Sequence, residues 1–503
     1  MPFSTACGGR GGPTWPAGNE LTVALPSAPI HLDPRVGGDA SSDEAHGLLF
    51  DGLLATDPRG ELVGDLARDW QVLDGGRRLR FRLHPDVRFH DGRPLTAADV
   101  VWTYGSIVDG TVATAKRAAF DPVARIEAVE ERIVDFHLHA PNASFPVELT
   151  LGVVPAGALP EEVDARPVGS GPFRFAGRSP ERLDLAAFEE HFAGRPHLDR
   201  LTLKEVPDAT VRTLELMDGA VQLVVDDLTP DVVPRFRADP AYRVVEAASG
   251  DYAYLGFNLR DPALADRRVR RAVAHALDRE RLVATLWRGL GVVGETMLPP
   301  GHWARDEALP AIPHDPAAAR RLLDAAGFPD PDGDGPRTRL ALELKTSTTE
   351  TYFLQAQVIQ AMLAEVGIDL TVRSLEFATF YADVQRGDFQ LFTLVRTGIV
   401  DPNIYRLTLH SASTPPAGHN RGFYANPRFD RLVDRANLVT DRAARRELYL
   451  EAQRILAADL PYVSLFVKKS FAVMPAELGG FTPRIHRKLG SLPDVRWVRR
   501  PPG

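Results

Sequence analysis

YLGFNLRDPALADRRVRRAVAHALDRERLVATLWRGLG, residues 254–291, decides how this chain is read. It begins as a strand, YLGFNL, and turns at Asp261-Pro262. The spacing then predicts an amphipathic helix with Val269, Val273, Ala276 and Leu277 on one face and Arg267, Arg268, Arg270 and Arg271 elsewhere. Asp278 is the expected N-cap of a second helix, which carries Leu282, Val283 and Leu286 on its apolar side and stops at Gly289. The stretch builds a core, and nothing in it is arranged for catalysis.

The whole chain has 503 residues, too many for one hydrophobic core, so two or three domains are expected. Its 44% hydrophobic and 25% charged residues are ordinary for a soluble globular protein. A net charge of −8 argues against a nucleic-acid or anionic-membrane partner, which would favour a basic face. No apolar run reaches the 18 or so residues of a spanning helix. Cys7 is the only cysteine, which excludes a disulfide framework and a Cys-rich zinc site.

Outward from the opening stretch, the chain reads as mixed α/β. LTVAL (21–25) is a first strand, followed by PIHLDP (29–34) and a helix over about 43–50. LLFDGLLATDPRGELVGDLARDWQV spans 48–72. VRFHDGRPLTAADVVWTY (87–104) combines an Asp91-Gly92 turn with a helix begun by Thr96. Leu79, Phe81 and Leu83 alternate with arginines, and Val134, Phe136 and Leu138 alternate with Asp135, His137 and His139. ARPVGSGPFRF (165–175) follows, then a strand, helix and strand over 200–227. Leu340, Leu342 and Leu344, a helix over about 351–366, and Ile368, Leu370 and Val372 form a βαβ unit. Helices over about 426–437 and 441–458 lead into DLPYVSLFVKKSFAV (459–473).

Taken in order from about 20 to 490, these segments resemble the extracytoplasmic solute-binding proteins of peptide-type ABC transporters, family 5, which includes oligopeptide-, dipeptide- and nickel-binding proteins. The resemblance implies an α/β, two-lobed periplasmic-binding-protein architecture (type II, cluster C) with an extra strand-rich subdomain in the first lobe. It divides the chain into a flexible tether (1–19), lobe I (20–258, with the subdomain at about 42–154), lobe II (259–469) and a return to lobe I (470–503). Crossings between lobes are expected near 255–259 and 466–471. A receptor of this kind closes on its solute and is recognised by an ABC permease and ATPase complex, as a monomer outside the cytoplasm, without a cofactor and without catalysis. Ser4-Thr5-Ala6-Cys7 resembles a weak bacterial lipobox, which implies lipidation of Cys7 as the only membrane contact, on a leader that begins upstream. An inert thiol in a Gly- and Pro-rich tether is the alternative.

Other motifs carry less. Gly289-Leu290-Gly291-Val292-Val293-Gly294 spells G-x-G-x-x-G, but it follows a helix instead of a strand and reads as a loop. Asp330, Asp332, Asp334 and Gly335 imitate half of a calcium loop, yet Ala341 stands where a bidentate Glu is needed, so a turn is expected. His84, His90, His137 and His139 read as surface histidines, not as metal ligands. Neither G-x-S-x-G nor H-E-x-x-H occurs.

The informative departure is LVRTGIVDP, 394–402. Peptide-binding relatives resemble GWgADYpDP here, and their Asp four places before the proline holds the peptide's α-ammonium. This chain has Gly398 there, with Val395 for the usual Trp. A buried ammonium without a carboxylate is costly, so an ordinary free amine is not expected to be held in the family's way. Arg396 suits a carboxylate or other anion if it faces the cleft, or else pairs with an acid such as Asp401. Tyr252, Tyr254, Asp401, Tyr405, Asn420 and Arg421 are the other candidate ligand contacts, on the matching segments. A non-peptide cargo (opine, oligosaccharide or metal–chelator complex) and a regulatory protein on the same scaffold are the alternatives.

Overall fold

Two long antiparallel strands, Tyr242–Phe257 and Tyr462–Pro475, run through the middle of an eleven-stranded sheet in the computed structural model. The structure describes residue 15 and residues 18–333, 335, 337–416 and 418–498. Cys7 and its tether, and Asp334 of the calcium-like turn, lie outside these residues. On one side of the long pair come Leu223–Val225, Glu20–Leu25, Arg200–Glu205, Arg182–Ala187 and Phe173–Ser179; on the other come Leu391–Arg396, Leu340–Ser347 and Ile368–Leu375. Gly291–Val292 adds a short pairing to Lys468 and Val467, so the G-x-G-x-x-G stretch is a loop with a bridge of strand.

Each long strand serves two bodies. Residues 242–248 pair with 469–475, whose Val473 and Ala472 also meet Val224 and Val225. After an irregularity between Ala248 and Tyr252, residues 252–257 pair with 391–396 and 462–467. The first crossing therefore falls at about 249–251, ahead of the expected 255–259. Leu255 and Phe257 are already buried in the second body's core, together with Val269, Val273, Leu344, Ile359 and Leu465. The first core gathers Leu21, Val23, Phe173, Leu185 and Leu201, and is closed by Leu489 and Leu492 from the C-terminal return.

Local chemistry accounts for the elements. Asp261 and Asp278 cap their helices by accepting backbone N–H bonds, Asp278 from Arg281 at 2.9 Å. Thr96 and Asp99 form a capping box that starts Ala97–Val108. Leu340–Ser347 and Ile368–Leu375 are parallel neighbours joined by the helix Glu350–Ala364, a βαβ unit. Arg270, assigned above to the polar side of its helix, is instead buried, and donates to the carbonyls of Leu264, Ala265 and Leu460 at 2.7–2.9 Å and to that of Asp459. It ties the 261–266 turn to the end of helix Arg442–Asp459, where carbonyls lack helical partners.

The strand-rich subdomain is a separate antiparallel sheet in the order Ala67–Leu73, Arg78–Leu83, Ile133–Leu138, Val123–Glu130. Phe81, Tyr104, Phe120 and Phe136 fill its core. Asp135 is not on the solvent side as its alternation suggests: it is 2% exposed, clamped by Arg80 through two 2.7 Å bonds and by Arg78 at 3.3 Å. His137 lies beside Arg125 and Glu127, and His139 is exposed.

This subdomain touches the second body through a polar cluster. Ser144 donates to Asp401 at 2.9 Å, and Arg445 reaches both Asp401 oxygens at 3.0–3.2 Å and Ser144 at 2.6 Å. Ala143 N–H bonds the Asn437 carbonyl at 2.8 Å, and Arg442 pairs with Glu61. Removing one partner of a buried ion pair strands the other. Arg445→Ala is expected to cost about 3 kcal/mol in chemical denaturation. Burial, and then the charge of Asp401, pushes the Glu148 carboxyl up to about 7. The folded chain thus holds this proton where the unfolded chain has released it, so the group's contribution is full in acid and is lost as pH rises through about 7. Glu148→Gln should raise the melting temperature at pH 8 and leave it unchanged near pH 4, which calorimetric scans at both pH values will show.

Candidate functional site

Successive side chains of a strand point to opposite faces, and the stretch 252–257 uses both. Ala253, Leu255 and Phe257 enter the second core. Tyr252, Tyr254 and Gly256 face the other way, and their register partners on the next strand are Arg396, Leu394 and Phe392. Tyr252, Tyr254 and Gly256, with Arg396 and Phe392, are the floor of a small pocket with about 40 Å³ of free space, partly open to solvent. Its remaining walls come from Met297, from Thr408 and Leu409, from the loop bearing His419, Arg421, Gly422 and Tyr424, and from Pro461 and Tyr462.

The floor is aromatic. The Tyr252 and Tyr254 rings stack 5.5 Å apart at 7°, with Tyr462 edge-on to both at 6.0 and 5.8 Å. Phe392 stands edge-on to Tyr254 at 5.6 Å. Its ring lies directly over Gly256, where an added Cβ would come within 2.4 Å, so only glycine leaves room for it.

Two guanidinium groups enter this apolar space, and among the described residues no Asp or Glu lines it. Arg421 is 4% exposed; it donates to the Tyr381 hydroxyl at 2.6 Å and lies at the limit of contact with the Tyr254 hydroxyl, 3.5 Å, while its Nε has no acceptor. Arg396 has no side-chain hydrogen bond or ion pair among the described residues. Burial, and then the neighbouring Arg421 charge, draws the Arg396 guanidinium below its usual value. Burial followed by the charges of Arg396 and Arg421 pushes His419 down to about 4, so its ring is neutral at pH 7.

The structure brings Tyr252, Tyr254, Arg396 and Arg421 together in this pocket and places the other candidates elsewhere. Asp401 does not pair with Arg396; it is committed to Arg445 and Ser144 at the contact between bodies. Tyr405 is 1% exposed, hydrogen-bonded to Thr296 and packed against Tyr449, and it lies outside the pocket lining. Asn420 is fully buried: its amide nitrogen bonds the carbonyls of His410 and Tyr424 at 3.1 and 2.7 Å, and its oxygen accepts the Tyr424 N–H at 3.0 Å. It fixes the loop that presents Arg421. Gly398 has φ 67°, and its N–H donates to Asp251 at 3.1 Å, beside an Ile399 N–H bond to the Gly250 carbonyl at 2.9 Å. Burial raises the Asp251 carboxyl, but Lys488, Lys468 and the Gly398 N–H outweigh it and hold it below the ordinary range. Lys488 bridges Asp251 at 3.3 Å and Asp226 at 2.6 Å, at the crossing itself.

The sequence reading missed His419, Tyr381, Phe392 and Met297. The stripe Phe377, Phe380, Tyr381 at helical spacing marks an aromatic face on Phe377–Arg386, a signal that was available. His419 offers none.

A mixed α/β fold with two cores sharing a pair of through-running strands, and a pocket set on those strands, defines a solute-binding scaffold. Residues 61–416 match the family described as "Bacterial extracellular solute-binding proteins, family 5 Middle", and the chain belongs to that family. It is 28% identical over 494 residues to "Probable di/tripeptide-binding protein 5" of Pseudomonas aeruginosa, covering 92% of this chain and 89% of the relative. It is 25% identical to heme-binding protein A of Haemophilus influenzae, over 92% of this chain and 90% of that one. The structure of the oligopeptide-binding protein AppA of Bacillus subtilis in complex with a nonapeptide superposes with a TM-score of 0.77 at 25% identity, over 96% and 99% of the two chains.

Crowding Gly256 is the sharpest probe of the floor. Gly256→Ala is expected to cost about 1–3 kcal/mol by overpacking against Phe392, read as a lower denaturation midpoint with an unchanged slope.

Proposed function

We propose that this chain is the solute-binding component of an ABC importer, capturing a peptide or peptide-like solute and presenting it to the membrane permease and its ATPase. The observation that carries the reading is the aromatic pocket of the second body, beside the crossing of the long strands, where Tyr252, Tyr254, Arg396 and Arg421 converge. A pocket beside the crossing allows a bound solute to bias the relative position of the two bodies. Capture at about micromolar concentration requires only about −8 kcal/mol, within reach of a mostly apolar pocket with a few polar groups. The protein acts outside the cytoplasm as a monomer and performs no chemistry on its cargo; Cys7 is its attachment to lipid. Among the described residues no helix is long and apolar enough to cross a membrane, so such an attachment would come from the tether.

The peptide-type names of several relatives support a peptide cargo. A second reading, a non-peptide solute such as an opine or a metal–chelator complex, is favoured by one observation: Gly398 supplies no carboxylate, and none lines the pocket.

Small-angle scattering is the direct test. Protein stripped by mild denaturation and refolded should contract when its own released small-molecule extract is returned, and mass spectrometry of that extract should show an unmodified compound. An unchanged scattering profile with the extract bound, or chemical turnover of the compound, would contradict the receptor reading.

A further inference from the structure

We infer that the pocket selects a carboxylate on an aromatic or apolar body, held by Arg396 and Arg421, and does not select for a free amine. The inference rests on the solute-binding reading and names the chemical class of its cargo.

Three observations carry it. First, the buried arginines 270, 279, 305 and 445 of the second body have their charge answered within the protein: Arg445 by Asp401, Arg279 by Glu295 at 2.6 Å, Arg305 by Glu307 at 2.9 Å, and Arg270 by four carbonyls. Arg396 and Arg421 face each other's charge instead, with no carboxylate lining the pocket. Two like charges brought together in an apolar site are unfavourable, and a planar oxyanion between them is the complement that removes the repulsion and fills the open donors. Second, the polar groups around them are donors or amphoteric: the hydroxyls of Tyr254 and Tyr381 are already approached by Arg421, and His419 is neutral. An ammonium would meet two cations and find no anion. Third, the floor that continues from Arg396 is ring on ring, Tyr252, Tyr254 and Phe392, which suits a flat apolar body directly attached to the charged head.

Among the described residues no hydrogen bond or ion pair fixes the Arg396 side chain, so its replacement separates a ligand role from a structural one. Two matched probes carry opposite blocks: N-acetyl-Ala-Phe keeps the carboxylate and loses the amine, and Ala-Phe-amide keeps the amine and loses the carboxylate. Calorimetry should show N-acetyl-Ala-Phe binding at least ~30-fold more tightly than Ala-Phe-amide to the parent protein. Arg396→Met and Arg421→Met should each weaken N-acetyl-Ala-Phe by roughly 30-fold, while Arg396→Met melts no lower than the parent because it removes an unpaired buried charge. If Arg421→Met unfolds the loop, Arg396→Met alone decides.

Tighter binding of the amide, equal binding of both probes, unaltered affinity in Arg396→Met, or binding of neither probe at millimolar concentration would each overturn the assignment. Scattering keeps the two readings apart. Contraction with the amide alone sinks the carboxylate site and leaves the receptor standing; carboxylate binding without contraction does the reverse.

Discussion

A strand that must fill a core with one face and line a pocket with the other has few spare positions, and residues 252–257 are such a strand. Ala253, Leu255 and Phe257 fill the second core, while Tyr252, Tyr254 and Gly256 form the pocket floor between the rows of two neighbouring strands. The pocket's aromatic surface is therefore set on hydrogen-bonded sheet, and only its roof, the segment around His419–Tyr424, is loop. Rigid floors keep the ordering cost of binding low, because their side chains are already confined by packing. The same two long strands carry the connection between bodies, so the floor adjoins the place where any relative motion must be absorbed.

Charge is distributed by the same logic. Where the chain buries a charge for structure it supplies the complement: Arg78 and Arg80 for Asp135, Asp401 for Arg445, helix-end carbonyls for Arg270. These interactions are geometric as much as energetic, since each joins elements distant in sequence. Lys488 is the case nearest the crossing, held between Asp226 of the first body and Asp251 on the crossover strand, whose other oxygen accepts the Gly398 N–H. The loop at Gly398 thus serves as a backbone donor to a residue of the crossover strand.

Much of the fold was readable because periodicity and caps act locally. The alternation in 21–25 and 340–344, the Asp and Thr caps, and the βαβ spacing all became the elements they implied. What sequence could not supply was the partner of each polar side chain. Arg270 and Asp135 fall at polar positions of their local patterns and are nevertheless buried, because remote carbonyls or arginines answer them. The site shows the same division. Tyr252, Tyr254, Arg396 and Arg421 come from segments whose strand register or loop brings them together, whereas Asp401, Tyr405 and Asn420 were claimed by tertiary partners that no local pattern announces. His419 joined the pocket through the packing of its loop alone.

The period-two division of 252–257 has an evolutionary consequence. Exchanges at 254 or 396 alter the pocket lining while leaving the buried odd-numbered row intact, whereas Tyr252 and Phe392, each 2% exposed, are held by packing as well. Insertion or loss of one residue would turn tyrosines inward and aliphatics outward in a single event. A lineage built on this scaffold is free to diversify its diet by substitution, but its spacing here is locked.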